Sequence, residues 1–210
     1  MIKNSELLNV DHKQEEAILK LKNLFFAGKI FVYPTDTIYG FGGNPFNEEA
    51  VKTLNKIKGR GSDKKYILLI GSLEFLFNYV DISSDRKLNF LRKIWPGPVS
   101  VIFNLNKKIK KVLKQSKAAF RIPDQNFCIR FLKELQMPVI SSSVNRSGKE
   151  PINEISLIKE EFGTEVSAIF YTSKQPKQKS STLIDITGDR PILLREGTVK
   201  FESLMEIYNS

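Results

Sequence analysis

Ile30-Phe31-Val32-Tyr33-Pro34-Thr35-Asp36-Thr37-Ile38-Tyr39-Gly40-Phe41-Gly42-Gly43 joins two kinds of sequence without a break. Its first four residues are β-branched or aromatic, which is the composition of a short strand. From Pro34 onward Gly and Pro are too frequent to continue any element, so a loop is predicted over 34–43. Upstream, Ala17, Ile18, Leu21, Leu24 and Phe25 recur at helical spacing, with Asp11 as the expected cap and Gly28 as the expected stop. Downstream, Asn47 is positioned to cap a helix that turns Ala50, Val51, Leu54 and Ile57 inward and ends at Gly59, before a strand at 66–70.

The alternation continues. A helix at 85–94 is ended by Trp95-Pro96-Gly97-Pro98. Across 99–105 the odd positions Val99, Val101, Phe103 and Leu105 are apolar while Ser100 and Asn104 break the other face, the period of a half-buried strand. Further strands are predicted at 119–122, 138–142, 168–171, 182–186 and 192–194, with helices near 125–136, 154–161 and 200–208. Interleaved helices argue for parallel pairs, and the short spacings near Thr182 and Ile192 for antiparallel ones. The expected fold is therefore α/β: a single domain with a twisted mixed parallel/antiparallel sheet flanked by helices. It is expected to span 10–200, with 1–9 and 201–210 as terminal extensions, and 172–180, which has no apolar anchor, as the most mobile segment.

Composition removes several kinds of chemistry. The chain has 210 residues, 41% hydrophobic and 27% charged, enough to bury a core. A single cysteine, Cys128, and a single histidine, His12, cannot build a zinc cluster, and His12 is remote from every serine-rich loop that a serine hydrolase would need. No protein-held metal is expected. The start is polar and no apolar run reaches the length of a membrane span, so a cytoplasmic chain with no membrane partner is expected. Lys plus Arg number 33 against 23 Asp plus Glu, for a net charge of +10. That excess favours polyanionic partners, although a lysine-rich codon bias produces the same number.

Known nucleotide fingerprints do not fit. Gly40-Phe41-Gly42-Gly43 has Pro45 where a dinucleotide loop needs its third glycine, and there is no P-loop string. Two pairs remain, Lys58 with Arg60 and Ser143 with Asn145. Residues two apart in extended backbone project from the same side, so each pair could face one ligand. An ammonium and a planar guanidinium suit phosphate oxygens, and the Ser and Asn add neutral donors; Lys64 and Arg121 could extend the lining. A solvated charge is the common fate of Lys and Arg, and a strand-to-loop turn that of 141–148, so neither pair decides alone.

Taken together, these segments resemble the YrdC/TsaC family of L-threonylcarbamoyladenylate synthases. Tyr33-Pro34-Thr35-Asp36-Thr37-Ile38-Tyr39-Gly40 is similar to the family's first loop, Lys58-Gly59-Arg60 to its Lys-x-Arg motif, and Ser143-Val144-Asn145 to its Ser-x-Asn motif. Trp95-Pro96-Gly97-Pro98, Phe120-Arg121-Ile122-Pro123-Asp124, and Ser181-Thr182-Leu183-Ile184-Asp185 with Leu194-Arg195-Glu196-Gly197 follow in the family's order. The resemblance implies a YrdC-like fold with a large basic cavity. It also implies a nucleotidyltransferase that forms threonylcarbamoyl-AMP and pyrophosphate from L-threonine, bicarbonate and ATP, for t6A modification of tRNA. ATP would be a substrate accompanied by Mg2+, and a threonylcarbamoyl transferase machinery would receive the product. By the same resemblance Lys58, Arg60, Ser143 and Asn145 carry the catalysis. Arg60, Lys64, Lys117, Ser143, Pro151 and Arg195 bind ATP, and Thr37, Arg121, Ser141 and Ser181 bind threonine.

This chain departs from the family at Gly61, often proline, at Lys65-Tyr66, often Pro-Leu or Gly-Leu, and at Leu69, where some relatives carry a threonine-contacting histidine. A looser loop after Arg60 is the expected consequence. The ending soon after Arg195 predicts the short single-domain form. Two alternatives stay open. The run Lys107, Lys108, Lys110, Lys111, Lys114, Lys117 and Arg121 contains no acid and would suit a non-catalytic RNA-binding module contacting tRNA or double-stranded RNA. A carbamoyl-phosphate-using relative is the other, but it would need zinc-finger and acylphosphatase segments that this sequence lacks.

Overall fold

A computed structural model describes residues 5–61, 65–82, 84–174 and 179–210. Lys64 and part of 172–180 lie outside the described residues. Ten strands form one sheet: β1 (Glu6–Asn9), β2 (Phe31–Tyr33), β3 (Gly40–Gly42), β4 (Ile67–Leu69), β5 (Val99–Asn104), β6 (Lys117–Arg121), β7 (Val139–Ser143), β8 (Ala168–Tyr171), β9 (Thr182–Asp185) and β10 (Ile192–Arg195). Their order is β1-β8-β2-β3-β7-β4-β6-β5-β9-β10. β1 with β8, β8 with β2, β4 with β6 and β5 with β9 are parallel, and the remaining pairs antiparallel. The mixed sheet predicted from the spacing is the one observed.

Helices cover both faces. On one, α1 (Gln14–Phe26) and α6 (Asn126–Leu135) pack on β1, β8 and β2, burying Ile18, Leu21, Phe25, Phe127, Phe131 and Leu135 against Phe31, Tyr33 and Phe170. On the other, α2 (Glu48–Lys58), α4 (Asp85–Ile94), α7 (Ile155–Phe162) and α8 (Phe201–Asn209) bury Leu54, Ile57, Phe90, Leu91, Phe162 and Tyr208 against Phe41, Val101, Phe120 and Ile169. Each such side chain is worth roughly 1.5–3 kcal/mol on full burial. Asn47 caps α2 by accepting from the Ala50 N–H at 2.9 Å, and Gly59 ends it in the left-handed conformation at φ 61°, as the sequence predicts. No described helix is long and apolar enough to cross a membrane.

Several expectations need correction. Asp11 does not cap α1; its carboxylate accepts from Thr172 Oγ1 at 2.9 Å and from the Ser173 N–H at 2.6 Å, which gives the start of 172–180 a tether. Residues 6–9 form an edge strand, and Leu204 and Tyr208 of α8 are buried, so these parts of the supposed extensions belong to the packed body. α3 (Leu73–Leu76) and α5 (Lys107–Leu113) were not foreseen, and the lysine run is a helix capped by Asn106.

The predicted 34–43 loop also contains a strand, β3, with β2 and β7 on either side. Glycine makes this strand possible rather than preventing it. A Cβ on Gly42 would lie 2.2 Å from Cε2 of Phe31, a ring already wedged against Tyr33 and Phe170. Gly42→Ala is expected to cost about 1–3 kcal/mol through overpacking. The measurement is the denaturant midpoint at constant m-value, and an unchanged midpoint would mean that the ring has room to move.

Candidate active site

The first loop, the Lys-x-Arg turn and the Ser-x-Asn strand end meet beside β6, β7 and β9. A cavity of about 340 Å³ opens there, lined by Thr37, Gly40, Lys58, Arg60, Lys65, Tyr66, Arg121, Ser141, Ser143, Asn145, Pro151, Ser181 and Arg195, among others. Among the described residues its lining holds five cationic side chains and no carboxylate. Strand register explains the convergence: Gly40 lies opposite Ser143, Ile67 opposite both Ser141 and Ala119, and Leu69 opposite Arg121. Residues paired this way point to one face.

The loop after β2 is locked from inside. Thr35 Oγ1 donates to the Ile38 carbonyl at 2.7 Å, accepts from the N–H groups of Thr37 and Ile38, and lies 2.9 Å from Thr37 Oγ1. The Tyr33 hydroxyl donates to the Ile140 carbonyl at 3.1 Å. Arg121 Nη1 then reaches this loop, donating to Thr37 Oγ1 at 3.1 Å and standing 3.3 Å from Asp36 Oδ1. The Arg121 and Asp36 side chains are only 3% and 8% exposed, so this ion pair is largely removed from water.

Lys58 and Arg60 do converge, but not through extended backbone. Lys58 is the last residue of α2, and the left-handed turn at Gly59 redirects the chain before Arg60. The Lys58 ammonium donates to the Ser143 carbonyl at 2.6 Å, the Asn145 carbonyl at 2.9 Å and Asn145 Oδ1 at 3.0 Å. All three of its donors are thereby directed at the Ser-x-Asn segment. Ser143 Oγ donates to Asn145 Oδ1 at 2.6 Å, and Asn145 Nδ2 donates to the carbonyls of Arg146 and Lys149. Burial, with the Arg60 charge adding to it, lowers the Lys58 pKa to about 8. Arg60 lies against Tyr66, its Cζ 4.0 Å from the ring centroid.

Across the cavity, Arg195 Nη2 donates to the Ser181 carbonyl at 2.9 Å and lies 3.2 Å from Ser181 Oγ, which in turn is 2.9 Å from Ser100 Oγ. Burial and then the Arg121 charge hold the Arg195 guanidinium below its ordinary pKa. Lys117 is not in this group. It sits at the far end of β6, where its ammonium contacts Asp185 Oδ2 at 3.1 Å and Thr187 Oγ1 at 2.6 Å, outside the cavity lining. Leu69 is fully buried in the α1/α6 core, so the position that carries a histidine in some relatives adds nothing to this cavity.

The sequence did not single out Asp36, Ser100, Asn55 or Tyr66. Asp36 had a signal, as the acid within the first loop; the other three had none beyond the irregular Lys65-Tyr66. Cys128 is buried with its thiol 3.1 Å from the Pro34 carbonyl, and burial pushes that thiol well above its ordinary pKa, so it packs rather than reacts. Among the described residues no group of three or more His, Cys, Asp or Glu could hold a metal ion. The arrangement can grip anions and orient hydroxyl-bearing ligands without a nucleophile of its own. Removing Arg121 would strand the Asp36 carboxylate in a dry site, and Arg121→Met is expected to cost about 3–5 kcal/mol in chemical denaturation. Adding Asp36→Asn should recover part of that loss; a single variant as stable as the double would count against the ion pair.

A family model described as telomere recombination, built on Sua5, YciO and YrdC, matches residues 23–197. The threonylcarbamoyl-AMP synthase of Marinobacter nauticus is 30% identical over 78% of this chain and 88% of its own length. That of Pyrococcus abyssi is 27% identical over 96% of this chain, which spans 60% of that relative. The crystal structure of P. abyssi Sua5 complexed with L-threonine superposes with a TM-score of 0.87 at 25% identity, over 98% of this chain and 61% of that one. Escherichia coli YciO superposes at 0.84 with 22% identity, over 96% and 99% of the two chains, a likeness of fold. With the first loop, the Lys-x-Arg turn and the Ser-x-Asn strand end gathered around one cavity, the chain belongs to the Sua5, YciO and YrdC family.

Proposed function

We propose that this chain is an L-threonylcarbamoyladenylate synthase. Its substrates are L-threonine, bicarbonate and ATP, and its products threonylcarbamoyl-AMP and pyrophosphate. The observation that carries this reading is the set of cations around a cavity to which no described residue adds a carboxylate, with hydroxyls on the same sheet face. A triphosphate answers the charge, and a small amino acid bearing a hydroxyl answers the serines and threonine. The names of the relatives support the choice of threonine and of the AMP product.

The chemistry follows from that lining. The amine of threonine and bicarbonate give a carbamate with loss of water. A carbamate oxygen attacks the α-phosphorus, the bond from that phosphorus to the bridging oxygen breaks, and pyrophosphate leaves. No protein nucleophile takes part. Arg121, already steadied by Asp36, pairs with the threonine carboxylate, while Thr37, Ser141 and Ser181 contact its polar atoms. Arg60 and Arg195 face the phosphates as fixed donors, Ser143 and Asn145 serve ATP by holding the Lys58 ammonium beside them, Pro151 borders the nucleotide, and Lys64 adds charge; Lys117 acts at most from a distance. Lys58 serves as a positioning residue whose charge still acts through space. Magnesium, expected with ATP, would arrive with the nucleotide and offset phosphate charge, since no group of three or more His, Cys, Asp or Glu among the described residues could hold it. The product passes to a tRNA-modifying transferase, which makes the enzyme cytoplasmic. Contact with tRNA or double-stranded RNA is secondary, since the exposed lysines of α5 have no aromatic partners for base stacking.

The test is incubation of the purified chain with ATP, radiolabelled bicarbonate and single amino acids. Label is expected to enter a nucleotide product with threonine alone, together with pyrophosphate release, and Arg60→Ala should slow it about a hundredfold. Tight RNA binding without turnover would instead favour the binding module. A pH effect is also expected. Lys58 is cationic below about 8 and neutral above, so its attraction for the triphosphate weakens as pH rises and KM for ATP climbs through that range. In Lys58→Met this climb should disappear, leaving KM high at all pH values; a climb that survives the substitution would assign it to another group.

A further inference from the structure

We infer that Tyr66 is the positioning residue for Arg60, its ring serving as the platform on which the guanidinium lies, and that this contact sets the affinity of the cavity for polyphosphate. The inference rests on the function proposed above only in taking ATP as the natural ligand. Arg60 Cζ is 4.0 Å from the Tyr66 ring centroid. At that distance a planar, weakly hydrated guanidinium stacks on an aromatic face.

The platform is itself anchored. The Tyr66 hydroxyl donates to Asn55 Oδ1 at 2.6 Å, and the Asn55 carbonyl accepts from the Arg60 N–H at 3.1 Å. One residue of α2 thus holds the backbone of Arg60 and the far end of the ring beneath it. Tyr66 borders both the cavity and a second hollow of about 140 Å³ formed with Val51, Leu68 and Leu113, so the ring is a wall between them. A leucine here would have no π face and no hydroxyl to reach Asn55. An arginine held in one orientation loses less freedom on meeting a phosphate than one that must be ordered by it.

Four proteins test this: Tyr66→Leu, Tyr66→Phe, Arg60→Ala and the double Arg60→Ala with Tyr66→Leu. Binding of ATP and of inorganic tripolyphosphate is measured by calorimetry, alongside KM for ATP and for threonine. Tyr66→Leu is expected to raise Kd for both anions and KM for ATP about tenfold, with kcat lowered by less than in Arg60→Ala and KM for threonine unchanged. Tyr66→Phe keeps the ring and should stay within about threefold of wild type, losing one hydrogen bond. On the Arg60→Ala background, Tyr66→Leu should add nothing further. Unchanged anion binding in Tyr66→Leu would overturn the inference. So would an equal loss on the Arg60→Ala background, or a matching rise in KM for threonine, either of which marks general disruption. Wild-type protein that binds tripolyphosphate with this coupling intact, but not ATP, would overturn the synthase reading alone; binding neither would overturn both.

Discussion

Like charges crowd one hollow in this molecule, and most of the local architecture serves to hold them there. Two unit charges 8 Å apart repel by about 2 kcal/mol at an effective dielectric of 20, so a cluster of Lys58, Arg60, Lys65, Arg121 and Arg195 disperses unless its members are restrained. Four restraints are of different kinds. Lys58 is gripped by the carbonyls of Ser143 and Asn145 and by an amide oxygen. Arg121 has a buried carboxylate beside it, Arg195 leans on the Ser181 backbone, and Arg60 lies on an aromatic ring. Burial, and the Arg60 charge after it, lowers the Lys58 pKa. A polyanion in the cavity would offset the repulsion within the cluster, which is the electrostatic basis of the proposed ATP site.

The same sheet face carries both a core and a site. Along β2 and β8 it presents Phe31, Tyr33 and Phe170, and two helices cover it. Along β7, β6 and β9 it presents Ser141, Ser143, Arg121 and Leu183 to the cavity. Because neighbouring strands are locked in register, hydroxyls and cations far apart in the chain stand in adjacent rows on a rigid support. That rigidity suits a reaction in which positioning and fixed charge do the work of a nucleophile. The buried thiol of Cys128 and the remote His12 fit this division, since neither is needed.

Where local signals agreed, elements could be recognised in advance. α2 carries its Asn47 cap, its inward apolar stripe and its Gly59 stop within a dozen positions, and the observed helix follows them. The strand at 168–171 is uniformly apolar and aromatic and is found there. Elements were missed where a local rule was overridden by packing. β3 is Gly-Phe-Gly, poor in strand propensity, yet it pairs on both sides because only glycine admits the Phe31 ring beneath it. β1 has no partner near it in sequence, and its ladder depends entirely on β8. The apolar positions of α5, Ile109 and Leu113, were hidden among lysines. Asp11 had the right type and position for a cap, but a loop more than 160 residues away competed successfully for its carboxylate.

Read alone, the chain determined its α/β class, most of its helices, and a set of motifs whose order is that of one family. Those are properties of local composition and spacing, and they survive any uncertainty about how distant segments meet. Only the tertiary structure decided that Lys58 spends its hydrogen bonds on the Ser-x-Asn segment, that Lys117 turns away to Asp185, and that Asp36, Asn55 and Tyr66 hold the arginines. Burial and strand register determine which partner a charged side chain finds, and both depend on contacts across the whole sheet, which spacing along the chain does not record.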